Sequence, residues 1–83
     1  MVTYGQDAAA VAFLRSAPDG TRVVVRYRLP DGSDAGATDA LGYLSGTSTT
    51  ECIVATARGL TTIAFADVIA AKEVPPPPVR SAR

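Results

Sequence analysis

Thr21-Arg-Val-Val-Val-Arg-Tyr-Arg-Leu29 is the stretch on which the fold is read. It is the longest run of β-forming residues in the chain and the only one with a clear two-residue alternation. Val23, Val25, Tyr27 and Leu29 fall on one face, while Arg22, Arg26 and Arg28 share the other with Val24. A strand that is apolar on one side and cationic on the other lies against a core. It predicts the first strand of a small barrel, with later segments pairing back to it.

Downstream, residues 30–36 (Pro-Asp-Gly-Ser-Asp-Ala-Gly) form a loop with Asp-Gly as its turn signal. Two aspartates beside glycine raise the question of calcium, but the acidic series and terminal glutamate of a calcium loop are missing, so no metal is assigned. Residues 37–44 read as a second strand broken by Gly42, a bulge or sharp bend of the kind small barrels need at their corners. Residues 45–50 are small and polar and make the next turn. Residues 51–56 form a third strand, and Arg58-Gly59 is a tight hairpin turn into a fourth over 60–65, where Thr61, Ile63 and Phe65 share a face. For residues 66–74 a helix and a turn followed by a strand are both open. Four strands leave two raw edges, which favours a turn at Asp67-Val68 and a short closing strand over 70–74.

Upstream, residues 7–17 are rich in helix formers, Asp7 is placed to cap the first turn, and Ala10, Phe13, Leu14 and Ala17 follow one buried stripe. Pro18-Asp19-Gly20 ends the helix. The helix either plugs one end of the barrel or docks on a partner. At the other end Pro75 to Pro78 can continue neither ladder nor helix and read as stiff polyproline II, a semi-rigid linker or tail, with a ligand for a proline-recognising domain as the alternative. The organisation is thus a helix and turn over 1–19, a five-stranded barrel over 20–74 and a proline-rich end over 75–83, an all-β fold.

Composition narrows the function. The 83 residues carry eight basic and eight acidic side chains, which argues against an extended nucleic-acid or anionic-membrane surface. The absence of histidine excludes Ser-His-Asp and Cys-His nucleophile systems and histidine-ligated zinc within the chain. The lone Cys52 forms no internal disulfide, fits a reducing cytoplasm, and has no histidine to activate it. The apolar stretch 8–14 is too short to span a bilayer and lacks a basic segment before it, so cytoplasmic placement is expected. No glycine-rich phosphate loop is present, and no cofactor is expected. Asp39, Glu51 and Asp67 have no spacing that joins them as an acid–base pair.

The one candidate interaction surface is the arginine face of Arg22, Arg26 and Arg28, with Arg58 joining it if the hairpin folds over that side. A solvated strand face beside acids such as Asp39 explains these residues as well as a site for phosphate or an acidic partner does. Nucleic-acid binding would add stacking aromatics, for which only Tyr27 and Tyr43 are available, and Tyr27 lies on the apolar face. Five aromatics in all make a thin core, to which a partner or a second copy would add stability.

Taken in order, Gly20 to Leu29, Thr38-Asp-Ala-Leu-Gly42, Ala57-Arg-Gly59, Asp67-Val-Ile-Ala-Ala-Lys72 and Val74 followed by Pro75 to Pro78 resemble the SH3-like domain at the N-terminus of a family of actinobacterial GNAT-type N-acetyltransferases. The resemblance covers about residues 20–78. It implies a non-catalytic accessory domain whose proline stretch leads into the acetyltransferase domain, the part that binds acetyl-coenzyme A and performs the transfer. No catalytic residue is carried over to any position here. Peptide recognition is not implied either, because the aromatic groove for PxxP ligands includes a tryptophan that this chain lacks. The expectation is therefore a protein-interaction module, with the acetyltransferase domain in cis or in trans as its partner. A phosphate- or nucleic-acid-binding small barrel is the alternative, and a self-associating homodimer the third reading.

Overall fold

The alternation of the first strand is kept in three dimensions. In the computed structural model, which describes residues 7–29 and 36–75, Val23 and Val25 on β1 (Arg22–Arg28) are fully buried, Arg26 is exposed, and Tyr27 packs at the margin of the core. β1 pairs antiparallel with β2 (Ala37–Thr47) on one side and with β5 (Val68–Glu73) on the other. Beyond β2 come β3 (Glu51–Thr56) and β4 (Gly59–Ala64), giving the order β4-β3-β2-β1-β5. The opening strand is thus second from one edge, and the closing strand covers its flank. The expectations for the loop at 30–35 and the proline run from 76 onward lie outside the described residues.

The ladders run from β4 to β5, and among the described residues no ladder joins these two ends into a closed barrel. The sheet is nevertheless curled. Ala64 and Val68 are joined by one 3-10 turn, Phe65–Asp67, and four Cα steps reach at most about 14 Å. A flat sheet would hold β4 and β5 about 19 Å apart, four strand spacings. The short connection therefore requires the two edges to bend toward each other.

Several boundaries differ from expectation for physical reasons. β2 is longer than 37–44 and is not broken at Gly42, which pairs with Val23 and Thr56. A Cβ on Gly42 would meet Ala55 C at 2.7 Å and Thr56 Cα at 3.0 Å, so glycine is there because the β3 backbone comes close. The irregularity sits farther on, between Leu44 and Gly46, where Ser45 is extra to the ladder with β3. The β3–β4 turn is Ala57-Arg58 rather than Arg58-Gly59, because Gly59, at φ +123°, already pairs with Thr56 and opens β4. Phe65 belongs to the 3-10 turn, and β5 begins at Val68, not Ala70.

The helix α1 (Ala8–Ser16) is capped as expected, Asp7 Oδ1 accepting from the Ala10 N–H at 2.9 Å. Ala10 and Leu14 are buried, Phe13 and Ala17 pack against the core, and Val11 widens the stripe. The Asp7 N–H donates to the Val68 carbonyl at 3.0 Å and fixes the helix start to β5. The apolar face of the helix is consequently used in the chain's own core, as the plug reading expected. That core joins it to Val23, Val25, Leu44, Cys52, Val54, Ile63, Phe65 and Val68 and holds no buried polar side chain among the described residues. No helix among them is long and apolar enough to cross a membrane.

Candidate functional site

The sheet face turned away from the core carries the candidate residues. Because antiparallel partners project to the same side, register alone places them. Arg22 stands opposite Tyr43, Val24 opposite Leu41 and Lys72, and Arg26 opposite Asp39 and Ala70. Tyr43 in turn is opposite Ala55, which is opposite Leu60. One row therefore crosses four strands as Arg22, Tyr43, Ala55 and Leu60, and the next contains Lys72, Val24 and Leu41.

The arginines do not form one cluster. Arg26 is held by Asp39, Nε to Oδ1 at 3.2 Å and Nη2 to Oδ2 at 3.4 Å, a two-pronged pair exposed to solvent. Arg22 turns toward the end of β5 and donates from Nη1 to the Pro75 carbonyl at 2.6 Å. Arg28 lies at the far end of β1, where it lines a depression with Tyr27, Leu29, Thr62, Ala64 and Asp67, so the curl of the sheet brings it near β4. From Arg22 to Arg28 the strand runs about 20 Å. Arg58 sits in the β3–β4 turn, where its N–H donates to Thr56 Oγ1 at 3.1 Å; among the described residues no hydrogen bond or ion pair joins it to the β1 arginines.

Of the aromatics, Tyr43 is on the outer face and 43% exposed, whereas Tyr27 packs against the core. The sequence reading missed what surrounds Tyr43. Leu41, Tyr43 and Leu60 are the exposed large hydrophobics among the described residues, and all three project from this face. Leu41, Tyr43, Ala55 and Ala57 line a shallow depression with Arg22 at its rim. The sequence signal was the apolar parity of positions 41 and 43, which the glycine between them obscured.

The remaining chemistry-bearing groups are dispersed. Asp39, Glu51 and Asp67 are on β2, β3 and the 3-10 turn respectively, and Asp39 is engaged with Arg26. Cys52 is fully buried, and burial, with a smaller contribution from the charge of Glu51, pushes its thiol up to about 11. The nucleophilic thiolate is therefore suppressed at neutral pH.

A family model described as the Rv0428c N-terminal Sm-like domain matches residues 17–72, from the end of the helix through β5 to its penultimate residue. No curated protein and no solved structure matches the chain.

Proposed function

The chain belongs to the family of the Rv0428c N-terminal Sm-like domain, and from that premise we propose that it is a non-catalytic accessory domain that holds a neighbouring protein domain, an acetyltransferase of the GNAT type. The observation that carries the reading is the exit of the chain. The Val74 N–H donates to the Arg22 carbonyl at 2.8 Å and Arg22 Nη1 donates to the Pro75 carbonyl, so the sheet fixes the point from which the prolines depart. A proline run attached at a fixed point is by its composition suited to transmit position to a domain beyond it, as a glycine-rich tail is not. The family description, an N-terminal domain, fits a module that precedes another.

The curl of the sheet supports an SH3-like barrel form, and the interaction role is exercised in the cytoplasm on this reading. The Arg26–Asp39 pair weighs against the phosphate or nucleic-acid alternative, since an anion would have to displace Asp39 from Arg26. The test is to isolate the native gene product from the source cells and to assay the 83-residue chain alone with acetyl-coenzyme A and amine acceptors. A longer product carrying the transferase activity, with none in the chain alone, is the expected result. A native product ending at Arg83, or acetyl transfer by the isolated chain, overturns the proposal.

A further inference from the structure

We infer that the outer face around Tyr43 and Leu60 is the surface on which the domain beyond the prolines packs, through an apolar patch fringed with carboxylates. The inference rests on the reading above and names the surface and the chemistry of its partner.

Three observations converge on this face. Scattered exposed apolar residues are ordinary, but contiguous ones mark interaction sites. Leu60, 73% exposed, and Tyr43 are separated by Ala55 alone in one cross-strand row, and Leu41, 47% exposed, lies two residues before Tyr43 on the same side. The chain also leaves from that row. Arg22, the cross-strand neighbour of Tyr43, is the residue bonded to the Pro75 carbonyl. Eight residues follow Pro75, a span of at most about 29 Å, so a domain attached beyond them is held within reach of the patch, and a short tether raises its local concentration to the millimolar range.

Charge then selects the partner's chemistry. Arg22 and Lys72 flank the patch, and Asp39 neutralises the nearby Arg26 rather than either of them. Glu51, the other carboxylate that the ladders place on this face among the described residues, is about 13 Å along β3 from Ala55. The patch therefore presents apolar area with a cationic rim, complementary to a surface of opposite fringe. A second copy laid face to face sets the same cations against one another, while the exposed Glu73 beside Lys72 alternates to the other side of β5, which disfavours self-association through this face.

Hydroxyl-radical footprinting of Tyr43 and Leu60 in the native gene product and in the 83-residue chain tests the inference. Several-fold slower labelling of both in the longer product is expected, with Leu60→Glu in that product returning Tyr43 to the rate of the short chain. Lys72→Glu should act in the same direction, and added salt should raise the Tyr43 rate. A longer product with unchanged labelling overturns this inference and leaves the accessory reading standing. A product that ends at Arg83 removes both. A short chain that is already protected and dimeric, and that Leu60→Glu renders monomeric, assigns the face to a second copy and overturns the inference.

Discussion

The guanidinium of Arg15 lies over the ring of Phe65, 5.0 Å from its centroid, while its Nη2 donates to the Thr49 carbonyl at 2.8 Å. One side chain from the last turn of the helix thus grips both the β2–β3 turn and the 3-10 turn. Phe65 is itself fixed by its N–H to the Thr50 carbonyl at 2.8 Å. The β2–β3 turn and the 3-10 turn are thus joined through one guanidinium. Arg15→Met keeps most of the stem contact and removes both polar terms, and a loss of about 1–2 kcal/mol in urea denaturation is expected. Arg15→Lys should recover part of it.

Gly42 offers a sharper test. Alanine there drives a methyl against the backbone of Ala55, which cannot swing aside as a side chain can. Gly42→Ala is expected to cost about 3 kcal/mol or more, at or above the upper end of ordinary overpacking. Gly46→Ala meets open space and should stay within about 1 kcal/mol of the parent. Thermal melts of the two variants side by side check the contrast.

Cys52 links the core to pH. Its thiol rises from an ordinary 9.0 to about 11 on folding, so the folded state binds the proton more tightly than the unfolded chain. The stabilisation is complete below pH 9 and is lost as pH climbs through about 11, amounting to about 2–3 kcal/mol. Cys52→Ala should remove that alkaline slope. In the native parent at about pH 7.5 an alkylating reagent should label Cys52 at a small fraction of the rate seen in denaturant.

Asp39→Asn separates the two readings of the arginine face. The exposed pair contributes little, and stability should change by about 0.2–1 kcal/mol. On the accessory-domain reading, titration with inorganic phosphate or a short oligonucleotide shows no saturable binding in the parent or the variant. Salt-sensitive binding that strengthens on release of Arg26 would restore the anion-binding alternative.

The strands were legible because their signals are local. Alternation in 22–28 announced a half-buried strand, residues 51–56 were bounded by turn residues, and Asp7 before an alanine-rich run announced a capped helix. Gly42 was misread because a glycine needed for close backbone approach and one that breaks a strand look alike in sequence. The bulge of β2, at Ser45, and the register shift that leaves Ile69 extra in the ladder with β1 depend on strand pairing and leave no local mark. For the outer face, the arginines were visible as a pattern, but their partners were not. Arg22 meets a carbonyl 53 residues away, Arg26 a carboxylate on the next strand, and Leu60 approaches Tyr43 only across β3. Those relations exist only once the sheet is assembled.

The pairing of β1 with β5 has a consequence for synthesis of the chain. β2 follows β1 directly in the chain, but the partner for the other flank, β5, is the last of the described strands to be synthesised. The roughly 45 residues from Arg28 to Glu73 take about 2–9 s to translate at about 5–20 residues per second. Through that interval a valine-rich edge is open to any neighbouring nascent chain. Arg22, Arg26 and Arg28, spaced along that strand, place positive charge beside the edge, the kind of charge that disfavours pairing with the wrong strand.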